Sequence, residues 1–192
     1  DKSGDNMAVY SDGHGWCFVC RKRFRKDEVE GGSSVSKPRY GMSISQIRAL
    51  PEKGDPARMI HQKIIEGYGV KASFNGETGE IEAVCYPYHN NHGDVTGYKV
   101  RKLPKDFYVT GDKPSGFFGR AAIKTPKSRL LIVEGEEDCL AAKHMLSIGR
   151  PPLAWDVVSI PNGAAKDGAI EESILSQRDW LDTYKSVYIC MD

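Results

Sequence analysis

The sharpest hydrophobic signal in the chain is also a short one. Leu130-Leu131-Ile132-Val133 is apolar, branched and uninterrupted, the pattern of a strand buried on both faces of a parallel sheet. It runs straight into Glu134-Gly135-Glu136-Glu137-Asp138. Gly135 suits a tight turn, and residues 136–148 read as a helix. Beyond a Gly/Pro breaker at 149–152, a second strand covers residues 156–160. The loop Pro161-Asn162-Gly163-Ala164, a helix from Gly168 to about Asp182, and a strand over 186–191 follow. This β-α-β-α-β order predicts parallel strands joined by right-handed crossovers. Their carboxyl ends then share one edge, where open α/β sheets place their chemistry. Glu134 ends the first strand, Asn162-Gly163 follows the second, and Asp192 ends the third.

Upstream the period changes. Residues 43–47 resemble a helix start that breaks near Pro51, and a longer helix is expected from about Pro56 to Glu66, ended by Gly67 and Gly69. Residues 70–74, 81–86 and 95–101 read as antiparallel strands, with turns at Asn75-Gly76 and 90–93. Phe107 and Tyr108 add aromatics after them. Cys85 alternates with apolar residues and reads as core. Phe117 and Phe118 also read as core. Near the amino end, Asp12-Gly13 is a hairpin signal among the aromatics Trp16, Phe18 and Phe24. Residues 27–42, centred on Gly31-Gly32-Ser33-Ser34, read as a flexible linker and domain boundary. The expected class is therefore α/β, α+β overall, in four parts. These are a small β hairpin unit at 1–27, a linker at 28–42, a mixed α+β subdomain at 43–127, and a parallel sheet at 128–192.

Composition adds limits. Lysine and arginine number 27 against 26 acidic residues, so any case for nucleic acid rests on local clusters and not on net charge. No apolar run approaches the roughly 20 residues of a membrane span, and no signal peptide is visible. Five cysteines, an odd number with one CxxC pair, speak against a disulfide framework and for a reducing compartment.

Three clusters carry candidate chemistry. Cys17-x-x-Cys20 is half of a zinc site, because two thiolates on one turn can share the metal; alternatively the pair is incidental. The run Arg21 to Lys26 is either a solvated face or, beside a zinc hairpin, a phosphate contact. Lys99 and Arg101 lie two apart on one strand and so share a face. With Lys102 and Lys105 nearby they suit a triphosphate or a nucleic-acid strand, or they are simply a solvated edge. The third cluster is acidic. Glu134, Glu136, Asp138 and Asp192 offer the oxygen donors of a hard cation such as Mg2+ or Mn2+. Residues 136–138 taken alone also fit compensation of a helix dipole. His89 and His92 flank a polar loop and read as solvated, with metal binding the alternative.

Glu134-Gly135-Glu136-x-Asp138 after a hydrophobic strand, followed by a strand ending in Asp192, resembles a Toprim domain. Ser11-Asp12-Gly13-His14-x-x-Cys17-x-Val19-Cys20 resembles the zinc-ribbon hairpin of the primase–helicases of T-seven-type bacteriophages. Lys99-Val100-Arg101, Lys105-x-Phe107, Thr110-Gly111 and Phe118-Gly119 resemble their polymerase subdomain, in the same order. The resemblance implies a DNA primase that makes short RNA primers on single-stranded DNA by metal-dependent nucleotidyl transfer. It implies catalytic roles for Glu134, Lys99 and Lys105. It puts Mg2+ or Mn2+ on Glu134, Asp192, Glu136 and Asp138, and Zn2+ on Cys17 and Cys20. Template or nucleotide contacts fall to Asp12, His14, Arg101 and Lys102. The implied partners are a template strand, ribonucleoside triphosphates, a helicase domain or subunit and a DNA polymerase. The implied place is the cytoplasm, the host's if the protein is phage-encoded.

Two alternatives stay open: a Toprim nuclease or topoisomerase, with Tyr184 or Tyr188 as a possible nucleophile, and a non-catalytic DNA-binding module of a helicase. Both ends of the sequence look cut. A further CxxC is expected before Asp1, and an aspartate two residues past Asp192.

Overall fold

The computed structural model describes residues 7–12, 14–17, 23–24, 41–104, 106–148, 155–161, 171 and 174–191. The chain divides into two compact units, Asp1–Tyr40 and Gly41–Asp192. In the first, β1 (Met7–Val9), β2 (Gly15–Cys17) and β3 (Arg23–Phe24) form an antiparallel sheet in that order. The expected hairpin turn is closed by Tyr10 N donating to His14 O at 2.9 Å. The expected linker lies outside the described residues, apart from Gly41 and Met42, which belong to the second unit.

The second unit opens with α1 (Ile44–Arg48), started by a capping box between Ser43 and Gln46 that satisfies backbone donors at the helix start. The single helix expected over 56–66 is two pieces. Asp55 caps a 3-10 turn at Pro56–Arg58, and Met59 then takes a left-handed conformation with φ 49°. A helix cannot continue through that geometry. It restarts as α2 (Gln62–Gly67), with the His61 ring accepting from Lys63 N.

An antiparallel sheet follows, ordered β4 (Lys71–Phe74), β5 (Ile81–His89), β6 (Val95–Lys102) and β7 (Asp106–Gly111). Sequence periodicity anticipates three of these strands; β7 is additional. Alternation gives the sheet two faces. Ala83, Cys85, Tyr98 and Val100 pack with Ile47 of α1, and burial pushes the Cys85 thiol up to about 12. Val84, Tyr86 and Tyr88 turn the other way, into a core shared with Ile65, Tyr68 and Phe118.

The parallel sheet has the order β10 (Ser186–Cys190), β8 (Arg129–Val133), β9 (Trp155–Ser159). Both pairings are parallel, and Cys190 lies opposite Val133. The strand leading to Asp192 is therefore a direct neighbour of the strand leading to Glu134. α3 (Glu136–Ser147) follows β8. The helix expected over 168–182 is interrupted: residues 171, 174 and 175 are helical, residues 176–177 are a turn, and helix resumes as the single turn α4 (Arg178–Leu181). Phe117, Tyr184, Leu130, Ile132, Val158 and Ile160 form a second core under this sheet.

The two sheets are joined through one core. Val133, Cys139, Leu140 and Val157 of the parallel half pack with Val84, Tyr86, Tyr88 and Phe118. Phe118 exchanges two backbone hydrogen bonds with Ser159, at 3.0 and 3.2 Å. The Tyr68 hydroxyl donates to Val157 O at 2.8 Å. Gly119, at φ +87°, lets the Tyr68 ring approach, since a Cβ there would lie 2.5 Å from its Cε1. The mixed α/β class expected from the sequence is the class observed. Among the described residues no helix is long and apolar enough to cross a membrane.

Candidate active site

β8 delivers Glu134 to the carboxyl edge of the sheet, and α3 begins two residues later. Gly135 has φ −118°, which any residue can adopt. Its role is therefore room rather than the tight turn expected of it: a Cβ there would lie 2.8 Å from Asp138 Oδ2. The missing side chain lets Asp138 fold back over the start of the helix. Glu134 is half-buried and Asp138 is exposed.

Glu136 and Glu137 have a different fate. The face of β6 that carries Lys99 and Arg101 is the face of β5 that carries Tyr86 and Tyr88. Tyr86 pairs with Lys99 across the strands. That face packs on the start of α3. Lys99 Nζ lies 2.9 and 3.0 Å from the two oxygens of Glu136. The Tyr88 hydroxyl donates to Glu136 Oε1 at 2.6 Å. The Glu136 side chain is 6% exposed and that of Lys99 19%. Beside them Glu137 accepts from Arg101, from the Tyr86 hydroxyl at 3.0 Å, and from Arg58 at 2.6 Å. Burial, reinforced by these carboxylates, pushes the Tyr86 and Tyr88 phenols far above their usual value. Both remain protonated donors. Such charge-assisted contacts suit a site removed from water.

The cations expected to grip a polyanion and the acids expected to hold a metal are thus drawn together: Lys99 pairs with Glu136, one of the four expected metal acids, and Arg101 pairs with Glu137, which was not among them. Arg101 is committed to Glu137. Lys102 is exposed on the opposite face, 5.9 Å from the Tyr108 ring centroid. Lys99 also lies 5.7 Å from the ring centroid of Phe107, which is half exposed. The oxygens of Glu134 and Asp138 have the hard-donor chemistry of Mg2+ or Mn2+; those of Glu136 receive Lys99 and Tyr88. Among the described residues no three His, Cys, Asp or Glu side chains converge as a metal cage. Lys105, Asp192, Cys20 and the side chain of Cys17 lie outside what is described.

In the first unit, Asp12 accepts from the backbone N–H and the ring of His14. These contacts, the backbone one foremost, hold its carboxyl below the usual range. The Tyr10 and His14 rings stack at 4.5 Å. Tyr184, one possible topoisomerase nucleophile, is buried with its hydroxyl donating to Asp156. Tyr188 packs on Trp155.

Sequence reasoning did not single out Tyr86, Tyr88 or Arg58. The two tyrosines were findable, since they alternate along β5 with the parity that faces Lys99. Arg58 carries no local signal. Beside the site, a cleft of about 750 Å³ is lined by His89, Asn90, His92, Phe117, Arg120 and Gln177 among others. His89 is held below its ordinary value by burial and by Lys124.

Comparison with known proteins fits this geometry. No family model matches the chain. Over 99% of its length the chain is 25% identical to the DNA helicase/primase of Enterobacteria phage T3, of which it spans 33%. The chain is a homologue of a phage helicase/primase. It aligns with the crystal structure of the primase fragment of the bacteriophage T7 primase–helicase protein at a TM-score of 0.62 and 22% identity, covering 99% of this chain and 75% of that one. The structure of bacteriophage T7 lagging-strand DNA polymerase interacting with primase domains of two subunits, bound to an RNA/DNA hybrid and dTTP, matches at a TM-score of 0.60 and 21% identity, with the same coverage. The architecture of two sheets meeting at an acidic edge is accordingly a primase fold.

Proposed function

We propose that the chain is the primer-synthesising part of a phage replication protein, a DNA primase that joins ribonucleotides on a single-stranded template. One observation carries this reading: a cationic antiparallel sheet meets the start of α3 at Glu136 and Glu137, just past the carboxyl end of β8 and Glu134, in a chain homologous along its whole length to a helicase/primase. The proposed parts are the zinc hairpin (1–27), the linker (28–42), the polymerase subdomain (43–127) and the Toprim subdomain (128–192).

In the proposed reaction a ribonucleotide 3′ oxygen attacks the α-phosphorus of an incoming triphosphate. The bond to the bridging oxygen breaks and pyrophosphate leaves. Glu134, half-buried at the strand end, accepts or orients the proton of the attacking hydroxyl. Glu134, Asp138 and Asp192 would hold Mg2+ or Mn2+, which when bound supplies positive charge to the reacting phosphate. Lys99 and Lys105 hold the triphosphate oxygens. Lys102 and, in the first unit, Asp12 and His14 contact the template. Cys17 and Cys20 would hold half of a structural zinc. A helicase domain and a DNA polymerase are the proposed partners, and the host cytoplasm the proposed place.

The test is direct. The whole protein, given single-stranded DNA, labelled ribonucleotides and Mg2+, makes short oligoribonucleotides. Glu134→Gln lowers that rate by about a hundredfold or more, the usual span for losing a positioned acid or base. DNA binding without any product from the unaltered protein would instead mark a binding module, and degradation of the DNA would mark a nuclease.

A further inference from the structure

Glu136 is an unusual member of an acidic metal cluster. Its two oxygens already receive a lysine ammonium and a tyrosine hydroxyl, at 2.6 to 3.0 Å. It is almost wholly buried, and the residue it holds is the cation best placed for a polyanion. Lys99 has a flexible four-carbon stem and keeps part of its surface open. On that side its ammonium lies near the half-exposed Phe107 ring. Lys99 can therefore turn outward without unfolding anything. Glu136 cannot follow, because it is fixed in the first turn of α3 with its side chain under the sheet.

We propose that Glu136 is a positioning residue that occupies a phosphate subsite at Lys99, and that the triphosphate of a nucleotide displaces it there. This rests on the reading of the chain as a primase, and it assigns Glu136 to the lysine instead of to the divalent cation. When Lys99 leaves, Glu136 keeps the Tyr88 hydroxyl but loses its counter-charge. A buried carboxylate resists that change. Exchange is then favourable only for an anion of high charge. The pair acts as a threshold: a triphosphate draws Lys99 out, while a single phosphate does not. The neighbouring Glu137 does not share this role. It is held by two arginines and a tyrosine, so no single cation supplies its whole counter-charge.

The probe is inorganic tripolyphosphate, titrated into the protein in the presence of a chelator and followed by calorimetry, with orthophosphate in parallel. The chelator removes any contribution from divalent metal. Glu136→Gln keeps an acceptor for Tyr88 and a similar shape but gives up the claim on Lys99. It is expected to bind tripolyphosphate about fivefold more tightly than the unaltered protein, the equivalent of a partly exposed ion pair. It is also expected to narrow the preference for tripolyphosphate over orthophosphate. Adding Lys99→Met removes the gain. Thermal unfolding of each variant confirms that a folded protein was titrated. If Glu136 only supported the fold, or served the metal, Glu136→Gln would bind tripolyphosphate equally or less well under chelation, and the proposal would fall. A gain that survives Lys99→Met would be a general charge effect and would overturn it too. The outcome is separable from the primase reading. Primers from the unaltered protein without a gain in Glu136→Gln sink the threshold alone. A gain without primers sinks the activity and leaves the subsite.

Discussion

The two sheets of the larger unit solve opposite problems. The antiparallel sheet has strands of alternating residues, so it packs one face on α1 and sends the other to the centre of the unit. Its charges come from strand interiors, where alternation fixes their direction. The parallel sheet buries Leu130, Ile132 and Val133 of its central strand β8 and exposes mainly apolar side chains of β10, so its charged groups come from its edge. Its charges come from a strand end and the first turn of a helix. Cations on a face and carboxylates on an edge can meet only if the sheets are held at a fixed spacing. That spacing is set by apolar packing around Phe118 and then by ion pairs at the rim.

The largest effect is expected from breaking the apolar half of this arrangement. Phe118 is 1% exposed, its ring packs near those of Tyr68, Tyr86 and Tyr88, and its backbone bridges Ser159 at the end of β9. Phe118→Ala removes the ring that both sheets share and should destabilise the protein by about 3–5 kcal/mol. Chemical denaturation measures it. A loss under about 1 kcal/mol, the level of a surface substitution, would mean that the sheets are not joined there.

A smaller pair of effects sharpens the charged half. Glu137 is held by Arg101, 15% exposed on the sheet, and by Arg58, 50% exposed on the 3-10 turn. Arg101→Leu should destabilise by about 2 kcal/mol, because a partly buried carboxylate loses its inner partner. Arg58→Leu should change stability by less than about 1 kcal/mol, as expected for an exposed pair. Equal effects, or the reverse order, in the same denaturation experiment would show that the sheet does not anchor α3 through Arg101.

These contrasts also explain what could be read before the structure. Buried runs and alternation are local properties, so β5, β6, β8 and the β-α-β-α-β order were legible, and with them Glu134 at the sheet edge. The parity of Lys99 and Arg101 showed that they share a face. It did not show what the face meets, because Lys99 and Glu136 are 37 residues apart and no local pattern couples them. The break at Met59 was hidden for another reason. A left-handed residue is usually signalled by glycine or asparagine, and methionine gives no such sign. β7 was missed although Phe107-Tyr108-Val109-Thr110 is a run of strong β formers, because the run is short and does not alternate apolar with polar residues as its neighbours do.

The smallest expected effect tests whether a titrating group at the end of the antiparallel sheet feels the charge of the segment leading to the parallel one. His89 closes β5 and is held below its ordinary 6.5 by burial first and Lys124 second. Above that value the ring is neutral in both the folded and unfolded chains, and pH does not alter its contribution. As pH falls through 6.5 the unfolded chain takes up a proton that the folded chain still refuses, so the balance moves toward unfolding. The loss continues until pH passes below the folded value, where the folded ring is protonated as well. Melting temperatures of the unaltered protein should therefore fall more steeply than those of His89→Gln between neutral pH and about pH 5, the range in which histidine titrates. Lys124→Gln should reduce that extra fall without removing it, because burial is the larger cause. Parallel melting curves for all three proteins would mean that His89 is as free to protonate in the folded chain as in the unfolded one.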